Sequence, residues 1–433
     1  MVGRMTRTVV AMTTMTATAI EVEMPEPWLP APPEPPPVRV DAEAVSSRPR
    51  LVTRPLALVL LASFGAMTSF YLLLSVVPLY ASSAGAGGVG AGLVTGVLML
   101  STVVAELATP RLVARWGYRR VFAGGLVLLG APAVALTASA SMAAILGVCA
   151  VRGLGFAVAV VLGGALVASL VPRERRGEGL GLYGLVVGVP SVVALPLGVW
   201  LSGHVGYPPV FVAAAIAALA GLVVVPGLPG REPAPDRPVG VLSGLRTPAL
   251  ARPALVFSAT ALAAGIVVAF LPLAVAGASG SLAAVALLAQ AVAATASRWW
   301  AGRYGDRHGP AGLVIPGVVA AAGGMATLVF VASPVAVMAG MVLFGAGFGV
   351  TQNASLSLML DRVPPSGYGM VSALWNLSYD AAMGLGAVGF GVVVAQTGYP
   401  AAFGFTAAVM LGVLAPAWRD RSAAVGVDGR SLR

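Results

Sequence analysis

The stretch RLVARWGYRR, residues 111–120, places four arginines in ten positions between two long apolar runs. The whole chain of 433 residues is 58% hydrophobic and only 10% charged, with a mean hydropathy of +0.92. Soluble domains carry about 25% charged residues. The composition therefore predicts an integral membrane protein, and this arginine-rich stretch predicts a loop between two membrane spans.

Twelve apolar runs extend from Pro55 onward, each of a length that crosses about 30 Å of hydrocarbon as a helix. A helix is expected because lipid offers no hydrogen-bond partner to exposed backbone. The sequence thus predicts an all-α membrane protein. The predicted spans are 55–81, 89–110, 120–140, 143–171, 179–203, 207–226, 253–276, 281–301, 312–333, 335–360, 369–396 and 399–417.

Polar segments divide these spans into domains. Residues 1–54 are Thr-rich and then Pro-rich, which predicts a disordered tail, and they lack the apolar core of a signal peptide. Residues 227–252 interrupt the spans midway and predict a linker between the halves 55–226 and 253–417. Residues 418–433 form a second polar tail.

The arginines fall on one side of the predicted membrane topology. With the N-terminus inside, every arginine between spans lies in an inner loop, and the outer loops hold none. This asymmetry predicts that both termini are cytoplasmic. The Arg-only, Ala- and Gly-rich composition is typical of a bacterial chain, so we expect the bacterial cytoplasmic (inner) membrane. The net charge of +10 then needs no nucleic-acid partner.

Several kinds of chemistry are disfavoured by the residue types. The chain has no lysine, which excludes a Walker A nucleotide site and a lysine Schiff base. Cys149 is the only cysteine, so no intramolecular disulfide forms, and His204 and His308 lie too far apart for metal-ligand spacing. We therefore predict no cofactor, no metal and no enzymatic activity.

The opening stretch recurs in the second half of the chain. Adding 192 to a residue number carries Gly117 to Gly309, GLGFAV (153–158) to GAGFGV (345–350), and GYPPVF (206–211) to GYPAAF (398–403). A single ungapped offset over so much of each half predicts two six-helix halves related as a parallel repeat.

With this repeat, residues 55–417 resemble the major facilitator superfamily of secondary transporters. The family's motif between spans two and three is matched here, with Pro110 and Ala114 departing from its usual Gly and Asp. The resemblance implies that these loops close the cytoplasmic side, whereas a simpler interpretation gives them only topology and a tight turn. The matching residues are Arg115, Gly117, Arg119, Arg120, Gly302, Asp306, Arg307 and Gly309.

Ionisable residues inside the spans need a reason, because each costs about 2.5–3.5 kcal/mol on insertion scales. Arg152 matches the family's span-four arginine, which implies proton coupling or substrate binding; the alternative is a link between helices through backbone carbonyls. Asp380 is hypothesised to be a protonation site, or else a partner of Arg298 or of the backbone. Glu106 and Arg298, repeat equivalents of opposite charge, are placed near inner span ends, Glu106 as structural and Arg298 as able to reach the surface.

The substrate site is expected near the membrane midplane between the halves. Its predicted lining comprises Arg152, Asp380, Gln290, Gln352, Asn353 and Asn376. Span five is rich in glycine and proline and loosely resembles the span-five motif of the family's exporters, which favours export. The residues of that span expected to permit bending are Gly184, Gly188, Pro190, Pro196 and Gly198.

The sequence thus predicts a transporter of a small-molecule substrate, acting as a monomer in the lipid bilayer with protons as coupling ion. Proton-coupled efflux is favoured over two alternatives, an uptake symporter and a non-transporting sensor or scaffold. The substrate stays unassigned, since Arg152 suits an acidic solute and Asp380 a cationic one.

Overall fold

The computed structural model describes residues 52–171, 176–228, 244–275, 281–364 and 367–418, and every regular element in them is a helix. Most of the predicted tails and most of the predicted linker lie outside these residues. The helices are α1 (Arg54–Leu74), α2 (Val76–Ala81), α3 (Gly87–Trp116), α4 (Tyr118–Ala135), α5 (Met142–Leu170), α6 (Arg176–Val205), α7 (Tyr207–Ala220), α8 (Pro248–Ala274), α9 (Leu282–His308), α10 (Ala311–Thr327), α11 (Pro334–Leu360) and α12 (Tyr368–Gly412).

Nine helical segments of the described residues are long and apolar enough to cross a membrane. Two of them, Arg54–Trp116 and Tyr368–Trp418, contain 63 and 51 residues, about twice the length of one crossing. Each is interrupted by glycine with positive φ, at Gly85 and Gly87 in the first and at Gly398 in the second. Counting each of these two long segments as two membrane crossings, and α4 as one more, gives the predicted number of twelve spans. That number stays a prediction.

Most of the opening stretch is helical and not a loop. Helix α3 continues through Arg111 and Arg115 to Trp116 and ends at Gly117, where φ is 78° and ψ is 162°. Its repeat equivalent Gly309 ends α9 with φ 79° and ψ 144°. L-residues other than glycine rarely adopt positive φ. Both copies of the motif therefore turn the chain in the same way.

The other glycine pair of the repeat shares a conformation too. Gly206 precedes α7 with φ 80° and ψ 177°, and Gly398 interrupts α12 with φ 77° and ψ 169°. These two glycines begin the matching sequences GYPPVF and GYPAAF. Equal backbone conformations at equivalent positions are what a parallel repeat requires.

Two helices continue beyond the predicted ends of their membrane spans. Helix α3 ends at Trp116 and not at 110, so ten residues, about 15 Å of helix, separate Glu106 from its end. Helix α9 ends at His308 and not at 301, so Arg298 also lies about 15 Å before the end of its helix, and the membrane depth of both residues stays a prediction. The apolar runs end earlier than the helices because arginine is a good helix former.

Helix contacts fall into two groups joined by a smaller set of contacts. Helices α1 and α3–α7 pack among themselves, as do α8–α12. The main contacts between the groups are α3 against α12 and α6 against α9, with α2 and α3 also touching α8. We call the end of the bundle that contains Arg115 and Arg307 the arginine end, and the other the opposite end.

Close backbone approach joins α3 to α12 toward the opposite end. A Cβ on Gly92 would overlap the Ala387 carbonyl oxygen, and one on Gly384 would lie 2.8 Å from Met99 Cβ. Nearby, the Ser75 hydroxyl donates to the Val268 carbonyl of α8 at 2.7 Å. The two groups of helices are therefore tightly packed at the opposite end.

Candidate functional site

Two acidic side chains meet where α3 packs against α12. Glu106 of α3 and Asp380 of α12 lie within hydrogen-bonding reach of each other. Asp380 is buried, with 6% of its surface exposed, and Glu106 is half-buried. Among the described residues, neither carboxyl forms a salt bridge with an arginine. We call Glu106 and Asp380 the carboxyl pair.

Two tyrosines and one arginine surround the carboxyl pair. Tyr71 of α1 interacts electrostatically with Asp380 and with Arg298 of α9, and so does Tyr379 of α12. Tyr379 also stacks parallel to Trp375, with ring centroids 6.5 Å apart. Side chains from four helices thus interact in one region, and two of those helices belong to each group.

Arg298 is half-buried and bonds to a neighbouring helix. Its Nη1 donates to Gln352 Oε1 of α11 at 3.1 Å. Its Nη2 would be 3.8 Å from a Cβ on Gly188 of α6, so the guanidinium crosses from one group of helices to the other.

The remaining amides predicted to line a site lie mainly between α9 and α11. Gln290 is buried, with 9% of its surface exposed, and its backbone lies against Gly345 of α11. Asn353 faces Gly302, and a Cβ on that glycine would be 3.4 Å from Asn353 Nδ2. Asn376 is half-buried on α12, one turn from Asp380. The structure thus brings Asp380, Gln352 and Arg298 into one region.

Arg152 lies in a separate place within the first group of helices. It is 3% exposed, and its Nη1 donates to the Leu129 carbonyl of α4 at 2.5 Å. Its Nη2 donates to the Ser69 carbonyl of α1 at 3.1 Å. Hydrogen bonds to carbonyls on two different helices fit the structural interpretation of Arg152, in which it links α1, α4 and α5.

A small cavity beside Arg152 is also lined by Thr95, Cys149 and Phe70. Its volume of about 10 Å³ holds roughly one water molecule. The buried Thr95 hydroxyl has no hydrogen-bond partner among the described residues. Because an arginine has five N–H donors, Arg152 keeps donors beyond the two bonds to carbonyls.

The two gating motifs make different contacts at the arginine end. In the first copy, Arg119 donates through Nε and Nη2 to the Leu228 carbonyl, at 3.1 and 2.5 Å, and so ties α4 to the segment after α7. Arg115 lies over the Trp116 ring at 5.7 Å. In the second copy, Asp306 and Arg307 are exposed. The positions of Arg120 and Gly302 are likewise at this end.

Helix α6 remains helical through its two internal prolines, Pro190 and Pro196. Its glycines differ in their surroundings: a Cβ on Gly198 would overlap the Leu72 carbonyl of α1, whereas one on Gly184 would meet nothing within 4 Å. Gly188 is the glycine that faces Arg298. Only Gly198 therefore marks a close approach of two backbones.

Sequence reasoning missed the meeting of Glu106 with Asp380 and the involvement of Tyr71. One signal was available, because Glu106 and Arg298 are repeat equivalents and both are charged. Equivalent positions in a repeat have equivalent neighbours, and Asp380 is in turn equivalent to Gly188. The two contacts between groups, 106 with 380 and 298 with 188, follow that symmetry.

Comparison with known proteins agrees with this architecture. The family model of the Major Facilitator Superfamily matches residues 59–387 and, in a second alignment, 254–430. Uncharacterized MFS-type transporters of Burkholderia mallei (strain SAVP1) and Burkholderia pseudomallei (strain K96243) are each 36% identical over 75 residues. That alignment spans 17% of this chain and 18% of the relative's length.

Solved structures with the same fold include the nucleoside transporter NupG, with a TM-score of 0.68 and 12% identity, covering 86% of this chain and 99% of that one. The xylose transporter XylE from E. coli, in a partially occluded inward-open conformation, gives a TM-score of 0.67 at 13% identity and covers 85% and 98%. At such identities the likeness shows the fold alone. With the family model matching most of its length, this all-helical membrane chain belongs to the Major Facilitator Superfamily.

Proposed function

We propose that the chain is a secondary active transporter that moves a small solute across the bacterial cytoplasmic membrane by alternating access, in exchange for protons. The observation that carries the proposal is the carboxyl pair with Arg298, a set of ionisable groups deep inside the bundle where the two groups of helices meet. Intramembrane charges of this kind mark ion or substrate pathways by default, since membrane insertion of each is costly. The arginine end is then the cytoplasmic side.

Within this proposal Asp380 carries the proton. Its carboxyl is buried and forms no salt bridge in the described part of the chain, so a proton is the cation that can neutralise it. Arg298, Gln352 and Asn376 offer polar contacts to a solute at the same contact region. Arg152 contributes by holding α1, α4 and α5 together, and it also lines the small cavity.

We favour efflux as the direction, because the glycine- and proline-rich helix α6 loosely resembles the span-five motif of the family's exporters. The second candidate is proton-coupled uptake by symport, which the fold accommodates, because a D-xylose-proton symporter has the same fold. In efflux by antiport, the proton and the solute cross the membrane in opposite directions. In uptake by symport, they cross it in the same direction. They are therefore separable in vesicles of known orientation.

The test measures proton movement in inverted membrane vesicles with an imposed, inside-acid pH gradient. Organic cations, organic anions and neutral sugars or nucleosides are added in turn while a pH-sensitive dye reports the gradient. Antiport predicts that a transported solute dissipates the gradient. Right-side-out vesicles with no gradient test uptake, where the added solute should acidify the interior.

Asp380→Asn is the informative variant, because it removes the ionisable group and keeps its shape. Asp361→Asn is a matched control, since Asp361 is exposed at the end of α11. We expect Asp380→Asn to abolish solute-dependent proton flux and Asp361→Asn to leave it intact. Proton flux retained in Asp380→Asn would refute Asp380 as the carrier, and a panel without any flux would refute proton coupling.

A further inference from the structure

The carboxyl pair joins the two groups of helices through acidic side chains alone. Glu106 belongs to α3 in the first group, and Asp380 belongs to α12 in the second. Their carboxyls lie within hydrogen-bonding reach, and no arginine forms a salt bridge with either among the described residues. Two carboxylates at hydrogen-bonding distance in a low-dielectric site repel each other, whereas one carboxyl and one carboxylate form a short, charge-assisted hydrogen bond.

We propose that the carboxyl pair binds one shared proton and that this proton holds α3 against α12, so that its loss separates the two groups of helices around Glu106. This inference rests on the proposed proton coupling and assigns Glu106, together with Asp380, to the coupling site. The pair titrates as a unit, because the proton on one carboxyl hydrogen-bonds to the other.

The rest of the α3–α12 contact does not depend on charge. Toward the opposite end it consists of glycine against backbone, as at Gly92 and Ala387, or of glycine against an apolar side chain, as at Gly88 and Val394. Such packing is the same at every pH. A change of protonation therefore acts on this contact only through the carboxyl pair, which lies on the arginine-end side of the glycines.

The repeat supplies an independent comparison. The contact symmetry-equivalent to the carboxyl pair is formed by Arg298 of α9 and Gly188 of α6, which also joins the two groups. There the charge is a permanent cation opposite a residue without a side chain. The first contact is an acid pair, and the second is an arginine that faces a glycine. Of the two contacts, the first is therefore the one that a proton can switch.

The other titratable groups near the pair are few. Tyr71 approaches from α1, Tyr379 from α12 itself, and Arg298 from α9. Arg298 is engaged with Gln352, and Arg152 of α5 with backbone carbonyls and the Cys149 thiol. Among the residues that the structure describes, Asp380 thus interacts electrostatically with Tyr71, Tyr379 and its partner carboxyl, and Glu106 with that partner.

Electron spin resonance distances on the full-length protein test the proposal without requiring transport. In a Cys149→Ala background, spin labels are placed at Arg111→Cys on α3 and Tyr368→Cys on α12, both exposed positions near the arginine end. We expect a short label–label distance at about pH 5 and a longer one at about pH 9 in the otherwise unmodified protein.

Glu106→Gln is the decisive variant, because a glutamine amide donates to the Asp380 carboxylate whether or not a proton is bound. We expect the label–label distance in Glu106→Gln to stay short at both pH values. In Glu106→Ala we expect the longer distance at both pH values. Arg298→Gln, at the symmetry-equivalent contact, should retain the pH dependence. An unmodified protein whose distance does not change with pH would overturn the proposal, as would a Glu106→Gln variant that changes as the unmodified protein does.

Failure of this inference is distinguishable from failure of the proposed function. A pH-dependent distance that Glu106→Gln abolishes, in vesicles where no solute moves protons, supports the proton-binding pair and refutes proton-coupled transport for the solutes tried. Solute-driven proton flux that Glu106→Gln leaves intact, with a distance unaffected by pH, refutes the pair and leaves Asp380 as the carrier.

Discussion

Replacing Gly92 by alanine should open the contact between the two groups of helices at the opposite end. The new Cβ would overlap the Ala387 carbonyl oxygen and lie 3.1 Å from that carbonyl carbon and 3.3 Å from Val388 Cα. All three atoms belong to the backbone of α12, so no side-chain rotation relieves the overlap. The helices must move apart, or the closed arrangement becomes less stable.

The cost of such overpacking is about 1–3 kcal/mol. It applies only to arrangements in which α3 and α12 touch at Gly92, so it shifts the ratio of open to closed molecules by about 5- to 150-fold. Gly124→Ala on α4 is a matched control, since a Cβ there meets nothing within 4 Å. Both substitutions raise helix propensity by the same amount, and this common effect cancels.

The assay is maleimide labelling of a single cysteine, Ser75→Cys, in a Cys149→Ala background. Ser75 is buried and bonds to α8 at the opposite end, so a label reaches it only when that end opens. We expect the labelling rate of purified protein in detergent to rise about 5- to 150-fold in Gly92→Ala and to be unchanged in Gly124→Ala. Equal rates in the two variants would show that this glycine contact does not keep the end closed.

Three further predictions concern stability, read from thermal unfolding with a thiol-reactive dye that reports exposure of the buried Cys149. Arg152→Met should lower the free energy of unfolding by about 1.5–3 kcal/mol for each charged hydrogen bond lost. Arg152→Lys should not restore that free energy, because one ammonium cannot span both carbonyls as the guanidinium does. Rescue by lysine would contradict this geometry. Gly398→Ala should cost about 1–3 kcal/mol because φ 77° with ψ 169° is a conformation open essentially to glycine alone, whereas Gly389→Ala, with open space around it, should cost nothing; equal unfolding temperatures would argue against the turn. Arg119→Ala should lower the free energy of unfolding by about 1 kcal/mol, the value of one typical hydrogen bond at an exposed site, and no loss would mean that its bond at the arginine end is not stabilising.

The sequence by itself determined the helices and the repeat. Hydrophobic runs specify helices locally, because a backbone in lipid must satisfy its own hydrogen bonds. The offset of 192 predicted that Gly117 and Gly309 are equivalent, and both have the same positive φ. The family resemblance, carried by the same motifs, is confirmed by the family model.

Only the tertiary structure decided which buried polar groups meet. The end of an apolar run does not fix the end of a helix, since α3 and α9 continue past the predicted span ends to Trp116 and His308. Which side of a helix faces which neighbour depends on packing across the whole bundle, and glycines that let backbones touch set that rotation. Hence the sequence named Asp380 as a buried acid, and the fold supplied its partner, Glu106.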